Sequence, residues 1–242
     1  GVVTTSFTAD GVKYTRDVFA SNPKGCIFIR LTSDKPSSIS LHTALARGPI
    51  TWDLSSYDKQ VFRHPNYSDF IDTIENKGSQ KTIMCGSCGG KGAVEFACGI
   101  KVFCDEEHMK SVGNSIVITS ADEVIIAFTS ATSFYEDGDL KDIICKKLDT
   151  LDSLNFDEIL EEHVRDFQSL YNRVELTLPD TESDIVRLFN LGRYLMISGS
   201  RQGTLPLNLQ GIWNNQSNSN LWHCDVHADI NVQMNYWPAE TT

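Results

Sequence analysis

No run in this chain is apolar for long enough to cross a bilayer as a helix, and no tail is built from only a few residue types. A helical span takes about 20 successive apolar residues, so a membrane partner is not expected. Low-complexity arms are excluded in the same way. Basic residues are scarce: 21 Lys and Arg face 32 Asp and Glu, a formal charge of −11 spread along the chain. Nucleic acid and anionic membrane surfaces are therefore not expected partners. No internal repeat is present.

What the chain does contain is enough for a core. Its 242 residues are 40% hydrophobic, which supports one large domain or two small ones. Residue 1 is a Gly leading straight into strand-like sequence. The natural start is expected to be missing, and the lack of a signal peptide leaves localisation open. The seven cysteines are an odd number. Cys26, Cys98 and Cys145 lie in apolar runs and read as buried thiols. Cys85 and Cys88 form a C-x-x-C with Cys98 and Cys104 downstream, a pattern that zinc can use. The second pair has the wrong spacing, however, and Cys98 sits in a strand-like run. Free thiols in a reducing compartment fit better, which leans towards the cytoplasm.

Residues 1–134 are rich in short β-branched or aromatic runs: VVTTSFTA, VKYTRDVFA, CIFIRLTS, SISLHTAL, AVEFACGIKVFC, SIVITS and EVIIAFTSAT. Turn signals separate them, among them Asp10-Gly11, Asn22-Pro23-Lys24-Gly25, Asp34-Lys35-Pro36, Gly89-Gly90 and Gly113-Asn114. Strands joined by tight turns predict an antiparallel β-sandwich. Residues 51–82 are polar and irregular and read as a long loop.

The pattern then changes. Asn155 and Glu158 have capping-box form, and Leu160, Val164, Phe167 and Tyr171 recur at helical spacing, predicting a helix over 155–171. Residues 181–184 offer a second box. Behind it Ile185, Leu188, Phe189, Leu191, Tyr194, Leu195 and Ile197 cover a wide apolar arc. That arc predicts a buried helix over 183–199, ended by Gly199 and Gly203. The fold class is β plus α in several domains: a β-sandwich over 1–134, a helical linker over 135–180 and a helical domain opening at 181–242. The last has too few helices to close a core, so the chain reads as an internal piece of something larger.

Residues 204–242, TLPLNLQGIWNNQSNSNLWHCDVHADINVQMNYWPAETT, hold three of the four Trp, five Asn between positions 208 and 220, two His and two Asp, with no Lys or Arg. Aromatic faces cover a sugar ring and neutral amides pair with its hydroxyls, so the mixture suits an uncharged, hydroxyl-rich ligand. His227, Asp229 and Asn231 alternate as H-x-D-x-N. In an extended segment they share one face, just ahead of a helix starting near Val232 whose N–H groups add donors. The ordinary alternative, favoured by spacing alone, is a polar loop in which Asp229 caps that helix and Asn231 makes a turn contact. His223 and Asp225 extend the alternation to H-x-D-x-H-x-D. A metal site is thereby an option, weakened by the neutral Asn neighbours. Trp213 and Trp222 flank the Asn-rich loop and are expected at a surface or cleft, whereas Tyr236 and Trp237 are expected in core packing. Asn208 and Gln210 precede Gly211, where the backbone is expected to turn sharply.

Two of these motifs, TLPLNLQGIWN and HADINVQMNYWPAE, resemble the catalytic-domain entry of glycoside hydrolase family 95, the inverting α-L-fucosidases. The family pattern is close to LPxNLQGIWN, then HxNxNxQMNYWPAE. GRYLMISGSRQGTLP resembles the family's first barrel helix and HVRDFQSLYNRVEL its linker helix. TSADEVIIAFTSATSF, YTRDVFASNP and IRLTSDKP resemble its N-terminal β-domain, so the likeness covers nearly the whole chain. It implies a β-sandwich, a helical linker and the first helices of an incomplete six-hairpin α/α barrel. The implied activity is hydrolysis of terminal α-L-fucosyl linkages with inversion, with no metal or other cofactor. The implied partner is a fucosylated oligosaccharide or glycan. The family activates water through the asparagines of H-x-N-x-N, polarised by a downstream Asp, and its general acid is a Glu in a later barrel segment. By this correspondence His227 is the motif His and holds sugar hydroxyls. Asn231 is the second Asn, and Asp229 stands where the first Asn is usual. Trp213, Trp222, Asn208 and Gln210 join His227 as substrate-binding candidates.

Asp229 is a departure with consequences. An amide is a very poor base, whereas a carboxylate deprotonates water without special help. Asp229 is therefore a candidate general base; in inverting glycosidases acid and base stand about 6.5–9.5 Å apart to admit the water. An altered sugar preference and a decayed site are the other readings of the same change. No carboxylate of the β-rich part lies where the family puts its acid, so these residues are expected to be inactive by themselves. Two alternatives stay open. One is α-L-galactosidase activity, since an apolar pocket rejects an added hydroxyl by only about a hundredfold. The other is a glycan-binding module without catalysis. The apolar arc within 183–242 is expected to be covered by the rest of the barrel or by another chain.

Overall fold

The structure is a computed structural model and describes residues 1–46, 71–87, 92–153, 155–213 and 226–241. The strands are β1 (Val2–Ala9), β2 (Val12–Ser21), β3 (Cys26–Ser33), β4 (Ile39–Ala44), β5 (Ile71–Lys77), β6 (Lys81–Ser87), β7 (Glu95–Phe103), β8 (Met109–Val112), β9 (Ser115–Ala121) and β10 (Glu123–Thr132). The helices are α1 (Leu140–Asp149), α2 (Phe156–Tyr171), α3 (Ser183–Gly199) and α4 (Asn231–Tyr236). Seven strands run in the order β1-β2-β3-β10-β7-β6-β5 and three in the order β4-β9-β8, all antiparallel. Asp10 at φ 51° and Gly11 at φ 72° close the β1–β2 hairpin, matching its twist and pairing Ala9 with Val12.

Alternation along the central strands makes two cores. Cys98, Ile100 and Val102 of β7 and Val124 and Ile126 of β10 bury Ile39, Met109, Ile116 and Ile118 between the sheets. Ala97 and Ala127 take the other face with Phe19, Phe28 and Ile83, against Leu140, Ile144 and Leu148 of α1 and Phe156 and Ile159 of α2. The large sheet is thus covered by strands on one side and helices on the other. Gly99 allows α1 to lie directly on β7: a Cβ there would sit 2.7 Å from Ile144 Cγ2 and 2.9 Å from Leu148 Cδ1. Lys101, 1% exposed, donates from Nζ to Leu148 O at 3.2 Å and pairs with Asp152. A cation therefore meets the C-terminal end of α1, at a carbonyl that also accepts from Leu151 N–H at 3.2 Å.

Sequence reading leaves several of these elements out. The long loop expected over 51–82 in fact holds β5 and the start of β6. Among the described residues β5 is an edge strand, where Asp72, Glu75, Asn76 and Lys77 are tolerated and hide the pattern. Residues 47–70 lie outside the described residues. Helix α1 starts at Asp139, whose side chain accepts from Lys141 N–H at 2.8 Å and Asp142 N–H at 3.2 Å. Its one inward stripe, Leu140, Ile144 and Leu148, spans only three buried residues. Cys26 and Cys98 are buried as expected, but Cys145 is only half-buried. Asn155 does cap α2, accepting from Asp157 N–H at 2.9 Å. The second box does not form: α3 follows a 3-10 turn at Asp180–Glu182 and has no side-chain cap. Gly199 is the last residue of α3, before Ser200 turns extended, and Leu207 packs on it, 2.8 Å from where a Cβ would stand.

Packing divides the chain within α2 into two compact units. The first takes residues 2–163 as far as they are described, so α1 and the first half of α2 pack with the sheets. The expected linker over 135–180 is shared between the units. In the second unit Arg193 of α3 is buried, donates to Val174 O at 2.9 Å and Leu170 O at 3.3 Å, and lies over the Tyr171 ring. It supplies the C-terminal cation that α2 lacks in its own last turn. Arg201 pairs with Asp166, and Phe167 meets the Tyr194 ring at 5.9 Å. The apolar arc of α3 is not buried among the described residues: Ile185 is 53% and Leu188 70% exposed.

Candidate functional site

Residues 207–211 form a tight turn. Asn208 Oδ1 accepts from Gln210 N–H at 2.9 Å, Gly211 N–H returns to Asn208 O at 3.1 Å, and Gly211 takes φ 68°. The sharp turn expected at Gly211 is present. Leu207 anchors it, buried over Gly199. Two neighbours on α4 hold the same stretch by its backbone. Tyr236 Oη accepts from Leu207 N–H at 3.0 Å and shares a 2.7 Å hydrogen bond with Ser200 Oγ. Asn235 Nδ2 donates to Leu207 O at 3.2 Å and Asn208 O at 2.9 Å. Gln210 Oε1 is buried and has no hydrogen-bond partner among the described residues, which leaves an acceptor for a hydroxyl.

The segment carrying His227, Asp229 and Asn231 is not extended. Residues 228–230 turn, and α4 begins at Asn231. Val232 N–H reaches His227 O at 3.0 Å, Met234 N–H reaches Ile230 O at 2.9 Å, and Gln233 Nε2 donates to Ala228 O at 2.7 Å. These bonds replace the expected one-faced H-x-D-x-N strand, so alternation does not align the three side chains. The capping alternative fails as well, because Ile230 is the N-cap residue and no side chain caps α4. Asp229 is exposed, while His227 and Asn231 are half-buried. Neither Asp229 nor Asn231 makes a side-chain hydrogen bond among the described residues.

Trp213 follows the turn and is 50% exposed, as expected for a surface or cleft. Trp237 is 64% exposed and Tyr236 half-buried, against the expectation of core packing. The Tyr236 hydroxyl and the ties it makes account for its position better than apolar burial does. Trp222, with His223 and Asp225, lies outside the described residues. The structure thus joins the turn carrying Asn208 and Gln210 to α4, and Trp213 N–H donates to Gln210 O at 3.2 Å, but no hydrogen bond runs from Asn208 or Gln210 to Asp229 or Asn231 among the described residues. Asn235 is the residue that sequence reading passed over. Its spacing from Asn231, four positions on one helix face, was the available signal.

The cysteine option for a metal does not close. Cys85 packs with the helix-side core and Cys98 with the inter-sheet core, so strand alternation turns them apart. Burial also pushes the Cys98 thiol up to about 11, away from the thiolate that a metal needs. Cys88 lies outside the described residues. Among the described residues no three His, Cys, Asp or Glu side chains are grouped to hold an ion.

Residues 1–137 match the family model described as glycosyl hydrolase family 65, N-terminal domain, and residues 185–242 the one described as glycosyl hydrolase family 95 catalytic domain. The protein named "Alpha-L-fucosidase 2" of Arabidopsis thaliana is 26% identical over 98% of this chain and 32% of its own length. "Probable alpha-fucosidase A" of Aspergillus oryzae is 27% identical over 100% of this chain and 36% of its own. Its namesake in Aspergillus niger is 39% identical over 36% of this chain and 14% of its own. The chain therefore spans about a third of the length of the two relatives it matches nearly throughout. A solved structure named "Putative kojibiose phosphorylase from human microbiome" superposes with a TM-score of 0.57 at 11% identity, covering 87% of this chain and 28% of its own, a likeness of fold alone.

The antiparallel β-sandwich domain and the helical, Asn- and Trp-rich segment after it each coincide with a glycosyl hydrolase domain family. The chain belongs to glycosyl hydrolase family 95, and its first 137 residues are an N-terminal domain of the family 65 type.

Proposed function

We propose that the protein hydrolyses terminal α-L-fucosyl linkages of glycans with inversion, and that residues 181–242 open a six-hairpin α/α barrel. The observation that carries this reading is the coincidence of the Asn- and Trp-rich run with the family 95 catalytic match over 185–242. The relatives' names supply the sugar. L-Fucose is neutral and carries a methyl group, which suits a segment with amides and indoles and no Lys or Arg.

In this mechanism water attacks the anomeric carbon on the face opposite the leaving oxygen. Asp229 takes the water's proton as the new C–O bond forms, and the Asn231 amide orients the water. The leaving oxygen takes a proton from an acid not assigned to any carboxylate of this chain. His227, Asn208 and the buried Gln210 Oε1 pair with sugar hydroxyls, and Trp213 and Trp222 cover apolar faces. The open arc of α3 is the surface on which further barrel helices pack.

The test is kcat/KM of the full natural protein on p-nitrophenyl α-L-fucoside and on the α-L-galactoside. The expected preference is for fucoside, by up to about a hundredfold. Equal or better turnover of galactoside makes it an α-L-galactosidase. Retention of fucosylated glycan without turnover makes it a binding module.

A further inference from the structure

We infer that Asn235 and Tyr236 are positioning residues, which lock the turn carrying Asn208 and Gln210 to the helix that begins at Asn231. The kinetic part of this inference rests on the hydrolase reading above. The geometry stands on its own. Two adjacent α4 side chains satisfy three backbone groups of two consecutive residues: Leu207 N–H, Leu207 C=O and Asn208 C=O.

The residue types match the task. The NH₂ of a carboxamide has two N–H donors and can serve two carbonyls at once without a charge; a carboxylate of the same shape would set oxygen against oxygen. A phenol hydroxyl can accept from one group while sharing its proton with another, as Tyr236 does between Leu207 N–H and Ser200 Oγ. One hydroxyl therefore joins the end of α3, the turn and α4. Leu207 already provides the apolar anchor over Gly199. A single apolar anchor leaves the turn free to rotate about it, and the polar ties remove that freedom. What they fix is the direction in which Asn208 and Gln210 point relative to Asn231. A sugar held by the first pair is then kept in register with water held at the second. Misplacement by about 1 Å at such a site costs on the order of a hundredfold in rate.

Tyr236→Phe keeps the ring and removes the hydroxyl; Asn235→Asp keeps the shape and reverses the polarity. Both are measured in the full natural protein, by kinetics on p-nitrophenyl α-L-fucoside and by amide hydrogen exchange of peptides covering 205–213. The expected result is a fall in kcat of about 10–100-fold with KM within about threefold, and faster exchange at 207–211 while β7 and β10 exchange as before. Tyr236→Phe decides the matter if Asn235→Asp does not fold. Unchanged exchange at 207–211 overturns the tie itself. Wild-type kcat in a variant whose turn has loosened overturns the positioning role, as does a rate loss that comes with faster exchange throughout the chain. A wild-type protein that turns over no α-L-fucoside overturns the hydrolase reading and the kinetic half of the inference, while the exchange result still decides the tie.

Discussion

Helices α1 and α3 both carry apolar stripes, yet Ile144 and Leu148 of α1 are fully buried while Leu188 of α3 is 70% exposed. The difference lies in what each stripe meets. Ile144 and Leu148 lie against Gly99 of a seven-stranded sheet, and that sheet is packed on its other face as well. The arc of α3 meets no comparable surface among the described residues. Its unit is held by polar ties instead: Arg193 to the end of α2, Arg201 to Asp166, and Asn235 and Tyr236 to the 207–211 turn. Substitutions in the first unit should therefore be read in stability, and those in the second in geometry and chemistry.

The largest expected effect is chemical. Asp229→Ala in the full natural protein should lower kcat by about 10²–10⁴ while KM changes far less, because a general base acts in the transition state. Asp229→Asn should also lose activity if the carboxylate is the base, and should keep or gain it if Asp229 only positions water as the usual amide does. Thermal stability should stay within about 0.5 kcal/mol in both, since the side chain is exposed and tied to nothing among the described residues. Wild-type rates in both variants would remove Asp229 from the mechanism.

The next contrast is between the stripes. Ile144→Ala should cost about 2–5 kcal/mol by denaturant unfolding, as expected for a buried aliphatic side chain. Leu188→Ala should cost within about 0.5 kcal/mol wherever α3 is open as described, and several times more if barrel helices cover it. One substitution at Leu188 thus reports whether the arc is covered in the natural protein.

A single methyl group should change sign between the units. Gly99→Ala forces a Cβ into Ile83, Ile144 and Leu148 and should destabilise by about 1–3 kcal/mol. Gly192, inside α3, has nothing within 4 Å of its would-be Cβ. Gly192→Ala should stabilise by up to about 1 kcal/mol, the helix-propensity difference. Equal signs would contradict the packing contrast.

The smallest effect is a pH dependence in the inter-sheet core. Burial raises the Cys98 thiol from 9.0 to about 11, so the folded state keeps a proton that the unfolded chain gives up. Stability from this group is complete below pH 9 and falls as the pH rises towards 11. Cys98→Ala should remove that part of the alkaline slope; an identical slope in both proteins would refute the assignment.

How legible these features were depended on what each residue contacts. Strands β7 and β10 showed in the sequence because both their faces are buried, which makes long β-branched runs. Strand β5 did not, because an edge strand takes polar residues, and α1 did not, because its stripe is three residues long. The HADIN segment was ambiguous in principle. Its period of two suits a strand, and only the bond from Val232 N–H to His227 O shows that it turns. Asn208, Gln210 and Trp213 stood out by chemistry type. Asn235 did not, because its work is to bind backbone, and its four-residue spacing from Asn231 was the one sign of it in the sequence.

The most direct test of the central claim is proton NMR of the sugar released early in the reaction of the full natural protein with an α-L-fucoside. β-L-Fucose is expected as the first product, with the α anomer appearing only at the rate of mutarotation. α-L-Fucose as the first product, or no release of fucose, would contradict it.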